Sequence, residues 1–198
     1  MKLTHVLAAT GLVAGVPAVP TSAAYIAQFL EDGSDVTFFG SGSIDTTALT
    51  LAGKSLGTDT RLWSDREFYL FSNGYDYYDG IIGPGNFGSG PEVNPTEWAG
   101  PSHGIYNRNE RIYLPLGYIS GSLLAPTTST FAGQSFDSLG LTPGTYVWTW
   151  GSGANADSYT LNIGLAPPVP EADVPAPGAL GLVGLGLFGA GVMRRKPA

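Results

Sequence analysis

An all-β domain of the β-sandwich or jelly-roll kind is the fold this sequence predicts, and three observations predict it. Residues 145–150 and 158–163 carry large apolar side chains at every second position, Tyr146, Trp148 and Trp150 on one strand, set between Thr145, Val147 and Thr149, and Tyr159, Leu161 and Ile163 on the next, set between polar residues. The chain carries 29 Gly and 15 Pro but only 13% charged residues, which suits short strands joined by turns better than a helical bundle. Aromatic residues make up 12%, enough apolar surface to offset the entropy of ordering, so the middle of the chain should fold.

The elements follow in chain order. Lys2 opens a short basic region, residues 6–16 are apolar apart from Thr10, and residues 17–24 are small, ending Thr-Ser-Ala-Ala. That is the pattern of a secretory signal peptide over residues 1–24, cut by signal peptidase after Ala23 or Ala24, and an apolar run of this length is too short to span a bilayer. Residues 25–31 and 35–39 flank Asp32-Gly33, a pairing that favours a tight hairpin. Residues 61–71 form a further strand region, and residues 73–104, dense in Gly, Pro and Asp, are expected to be a long decorated loop. The segment 151–157 joins the two aromatic strands into a hairpin whose apolar face packs on a second sheet. Before it, Leu141-Thr142-Pro143-Gly144-Thr145-Tyr146 has the Leu-x-Pro-Gly-x-Tyr form of a sandwich corner tied by its tyrosine hydroxyl. The all-β extracellular domain therefore spans residues 25–166.

Charge and cysteine content narrow the function. Residues 25–166 hold five basic side chains against fourteen acidic ones, a net of −9. Nucleic acid and anionic membrane surfaces are poor partners for such a domain, whereas cations or neutral glycans fit. With no cysteine, disulfides, thiolate metal sites and cysteine nucleophiles are excluded.

The most chemistry-bearing segment is Gly74-Tyr75-Asp76-Tyr77-Tyr78-Asp79-Gly80. Tyrosines stack on sugar rings, and carboxylates accept sugar hydroxyls or ligate calcium, so Tyr75, Asp76, Tyr77, Tyr78 and Asp79 form the candidate ligand-binding set; the plain alternative is a strand edge and turn with solvated acids. The spacing is not that of an EF-hand loop, and no metal or cofactor is expected. Glu67, Glu92, Glu97 and Glu110 could in principle supply the two carboxyls of a glycoside hydrolase, though nothing in their spacing selects a pair. His103, in Pro101-Ser102-His103-Gly104, lacks a nucleophile elbow and is expected on a loop. The glycine-rich residues 83–90 precede neither a lysine nor a helix start and are expected to be a surface loop, and Arg108 and Arg111 to be surface charge.

Residues 178–193 are sixteen in a row without a charge, closed by Arg194, Arg195 and Lys196. As a helix they would measure about 24 Å, a marginal span that flanking residues extend. The basic cluster belongs in the cytoplasm by the positive-inside rule, which puts the β domain outside. Residues 178–198 are thus expected to be a transmembrane helix with a basic tail, joined to the domain by a proline-rich linker over residues 167–177.

Val174-Pro175-Ala176-Pro177, the Leu-Gly-Leu-Gly rhythm of residues 178–193 and the closing Arg194-Arg195-Lys196 resemble a PEP-CTERM sorting tail. This chain has Ala176 where that family usually has glutamate, and an upstream Val169-Pro170-Glu171 is followed by Ala172. The resemblance implies processing by an exosortase, a membrane transpeptidase of Gram-negative bacteria that make exopolysaccharide. It also implies transient residence in the inner membrane, then release or transfer to the envelope or extracellular matrix. Gly85-Asn86-Phe87-Gly88, residues 114–121, Ser129-Thr130-Phe131 and residues 144–154 are similar to a recurrent body type of PEP-CTERM proteins that has no assigned activity. The function expected is therefore a non-enzymatic exported envelope protein, associated with exopolysaccharide through the tyrosine segment; the alternative is a carbohydrate-active enzyme.

Overall fold

The computed structural model describes residues 24–165. The expected signal peptide (save Ala24), the linker, the sorting residues and the expected membrane helix lie outside the described residues. Among the described residues, no helix is long and apolar enough to cross a membrane.

Strands β1 (Ala24–Asp32) and β2 (Asp35–Ser43) form the expected first hairpin; Gly33, at φ +64°, supplies the left-handed turn conformation. There follow β3 (Thr50–Ser55), β4 (Asp59–Trp63), β5 (Glu67–Phe71), β6 (Tyr75–Asp79), β7 (Glu92–Val93), β8 (Glu97–Ala99), β9 (His103–Tyr106), β10 (Arg111–Pro115) and β11 (Leu123–Phe131). A single-turn helix α1 (Phe136–Leu139) precedes β12 (Gly144–Trp150) and β13 (Asp157–Ile163). Ser135 caps α1 through a capping box with Ser138.

The strands make two sheets, in the orders β12-β13-β1-β2-β11-β8 and β3-β6-β10-β9-β5-β4-β7. All pairings are antiparallel except β1 with β13, which run parallel. The sheets meet face to face, since Phe38 and Phe29 of the first lie 4.4 and 5.2 Å from Phe68 of the second. Tyr25, Trp148, Tyr159 and Ile163 join Leu62, Leu70, Ile105 and Ile112 in one buried core. Each such side chain contributes roughly 1.5 to 3 kcal/mol before entropy. The fold is all-β and β-sandwich-like, as expected.

The C-terminal hairpin matches its sequence pattern. Trp148, Trp150, Tyr159, Leu161 and Ile163 are buried, while Thr145, Val147 and Thr149 face solvent. The Tyr146 hydroxyl donates to the Thr142 carbonyl at 2.9 Å, closing the corner.

Four expectations are corrected. Residues 73–104 are not one long loop but contain β6, β7, β8 and the start of β9, and β6 lies inside its sheet between β3 and β10. The glycines at 74 and 80, with φ of +88° and +116°, end a strand there instead of marking irregular chain. Residues 61–71 are a hairpin, β4 and β5, turning at residues 64–66 with Arg66 N–H donating to the Trp63 carbonyl. His103 is no loop histidine: β9 carries it into the core, where it is 1% exposed and 3.0 Å from the Tyr159 hydroxyl. Residues 83–90 are only partly a surface loop, because Phe87 is buried and Gly88 and Gly90 press against the end of α1.

Candidate functional site

The period-two alternation of β6 decides which members of the tyrosine segment can meet a ligand. Tyr75, Tyr77 and Asp79 lie on the outer face of the second sheet, whereas Asp76 and Tyr78 point the other way. Tyr78 belongs to the core, and the Asp76 carboxylate accepts the Gly117 N–H at 2.7 Å. Asp79 is held by the Arg111 side chain at 2.7 and 3.2 Å, so Arg111 is more than loose surface charge.

Cross-strand register builds the rest of the site. Arg61, Tyr69, Gly104, Tyr113, Tyr77 and Gly53 stand opposite one another across β4, β5, β9, β10, β6 and β3. The two glycines leave room for the rings, since a Cβ on Gly104 would overlap the Tyr69 side chain and one on Gly53 would overlap the Tyr77 hydroxyl. Tyr69, Phe71 and Tyr113 are the buried heart of this outer aromatic cluster, and Tyr75, Tyr77 and Tyr106 pack around them.

The rings are stacked on each other. Tyr69 and Phe71 are nearly parallel with centroids 4.2 Å apart, Phe71 and Tyr75 are 3.8 Å apart, and Tyr113 stands edge-on to all three. Guanidinium groups cover two further faces, Arg61 over Tyr69 at 5.1 Å and Arg111 over Tyr77 at 4.4 Å. The cluster is therefore a pre-assembled floor that offers mainly ring edges and hydroxyls, with Tyr75 and Tyr77 half-buried at its margin.

Above this floor is a cleft of about 310 Å³, at the small end of the range for ligand sites, lined among others by Gly57, Asp59, Arg61, Glu67, Tyr69 and Tyr113. Arg61 is the centre of its charges. Its guanidinium lies 2.9 Å from Asp59, 3.3 Å from Glu92 and 3.8 Å from Glu67. Asp59 also accepts the Tyr69 hydroxyl at 3.1 Å. Burial raises the Glu67 carboxyl above the ordinary glutamate value despite the nearby arginines, and pushes the Tyr113 hydroxyl up to about 12. Among the described residues, no three His, Asp or Glu side chains converge to hold a metal ion.

Sequence reasoning found Tyr75, Tyr77 and Asp79 of this face and named Glu67 and Glu92 only as possible catalytic acids. It missed Asp59, Arg61, Tyr69, Phe71 and Tyr113. The signal available was the alternation of Arg61, Trp63, Glu67, Tyr69 and Phe71 along what proves to be one hairpin. A larger, more apolar groove runs past Leu51, Leu56 and Leu116 beside the edge strand β3, but few polar groups converge there.

The described residues define a two-sheet, β-sandwich-like protein with an aromatic, carboxylate-bearing cleft on one outer face. The tail adds the class: residues 173–196 match the PEP-CTERM protein-sorting motif, consistent with an exosortase substrate. The motif supports an exported protein that passes through the membrane to the envelope and is processed by an exosortase-like enzyme. No curated protein and no solved structure matches the chain.

Proposed function

We propose that this is a non-enzymatic envelope or extracellular-matrix protein whose second sheet holds exopolysaccharide in the cleft around Glu67, Arg61 and Tyr75. On this reading signal peptidase removes residues 1–23 or 1–24, the apolar segment over residues 178–193 halts in the inner membrane, and an exosortase acts in the linker. Val174, Pro175, Ala176 and Pro177 mark the sorting region and Arg194, Arg195 and Lys196 the cytoplasmic stop. The observation that supports ligand binding most is the convergence of an aromatic floor, hydroxyls and carboxylates on a concave outer face, away from the core.

A second reading has specific support. Asp59 and Glu67 line the same cleft and Glu67 has a raised pKa, the raw material of an acid and its partner in glycoside hydrolysis. Both carboxyls face one guanidinium, however, and that pairing suits fixed recognition better than proton transfer.

The test is retention of the purified protein on the producing organism's own exopolysaccharide. Replacing Tyr75 and Tyr77 together with Ala should weaken retention several-fold while the circular dichroism spectrum is kept, because both rings lie at the margin and outside the core. Unchanged retention would remove the binding reading. Release of reducing ends, abolished in Glu67→Gln, would put the hydrolase in its place.

A further inference from the structure

Glu67 is the unexplained group of the cleft. Its side chain is only 9% exposed, yet no hydrogen bond reaches its carboxyl from any described residue. Its nearest cation, Arg61 Nη1, is 3.8 Å away and closer to Glu92, at 3.3 Å, while the other terminal nitrogen is committed to Asp59. Asp59, by contrast, accepts from Arg61, from the Tyr69 hydroxyl and from the Thr60 N–H. The side chain is largely buried but its carboxyl opens onto the cleft, so the donors it lacks from the protein can come only from what occupies that cleft, water or a ligand.

The charge around it says what kind of donor. Asp59, Glu67 and Glu92 surround the Arg61 guanidinium and Arg66 is the further cation acting on Glu67, so the group carries an excess of negative charge when all are ionised. A uronic acid or sulfated sugar would be repelled. A hydroxyl would supply a hydrogen bond and leave the excess charge. An ammonium group supplies both the hydrogen bond and the compensating charge. A divalent metal is not the fitting occupant, because Arg61 already stands between the carboxylates.

We infer that the cleft takes a sugar bearing a free amine and that Glu67 is the residue that reads it. This rests on the proposal that the cleft binds saccharide and adds the substrate class and the specificity-determining side chain. Amine and N-acetyl forms of one sugar then differ by a charge-assisted hydrogen bond, on the order of tenfold in affinity.

The experiment titrates the purified protein, by calorimetry at neutral pH, with three β-1,4-linked hexamers: glucosamine, N-acetylglucosamine and glucose. The expected result is that the glucosamine hexamer binds about tenfold tighter than the other two. Glu67→Gln should erase that preference, and Asp137→Asn, which removes one negative charge from α1, should keep it. Glu67→Gln is expected to fold, since glutamine keeps the side chain's shape and removes a charge that burial disfavours. If all three hexamers bind alike, or if Glu67→Gln keeps the preference, the amine inference falls while saccharide binding in the cleft stands. If none binds, both fall.

Discussion

His103 lies with its ring 4.9 Å from Tyr25 and 5.6 Å from Phe38, one nitrogen meeting the Tyr159 hydroxyl and the other, Nδ1, without a partner. Full burial pulls its pKa down from 6.5 to about 3. A proton is therefore bound more readily by the unfolded chain than by the folded one between those values, so this residue's contribution is fully present above pH 6.5 and is lost as pH falls toward 3. Glu67 and Asp157, whose carboxyls burial raises, run the opposite way. Thermal denaturation should show a midpoint that falls across this acid range in the native protein and falls less in His103→Phe. The variant should also start lower at neutral pH by roughly 1 to 3 kcal/mol, because Tyr159 loses its partner. Equal acid slopes would mean that another group governs the acid loss.

At the scale of strands, the outer aromatic row depends on where side chains are missing. Gly104 sits between Tyr69 and Tyr113 with no space for a methyl group beside the Tyr69 side chain and the Phe68 carbonyl. Gly104→Ala should cost about 1 to 3 kcal/mol by overpacking and should splay the rings. Chemical denaturation measures the first effect and loss of near-ultraviolet aromatic dichroism the second; a variant as stable as the parent would show that the row is loosely packed. The hairpins β1–β2 and β12–β13 and the Tyr146 corner were legible in the sequence because each is a local pattern of alternation plus turn residues. The parity of β6 was legible too, in Tyr75, Tyr77 and Asp79 against Asp76 and Tyr78, once the segment is taken as a strand. What was not legible is the neighbourhood of Glu67, because strands β4, β5, β9 and β10 meet only through a sheet order that no short-range spacing encodes. The burial of His103 escaped for the same reason: Tyr159, its partner, is 56 positions away.

The whole molecule joins a folded two-sheet domain to a sorting signal that lies outside the described residues. Strand β1 already pairs at Ala24, opposite Ser158, so cleavage after Ala23 keeps the sheet complete while cleavage after Ala24 removes one pair. The parallel union of β1 with β13 ties the start of the domain to its end, and the Gly164 N–H extends that union to the Phe29 carbonyl. Processing beyond residue 165 would leave every described strand intact. The most direct measurement is fractionation of the producing cells followed by mass spectrometry of both termini. The account predicts a protein in the envelope or medium that begins at Ala24 or Tyr25 and lacks the basic residues 194–196. Recovery of the chain from the cytosol with both ends untouched would contradict it.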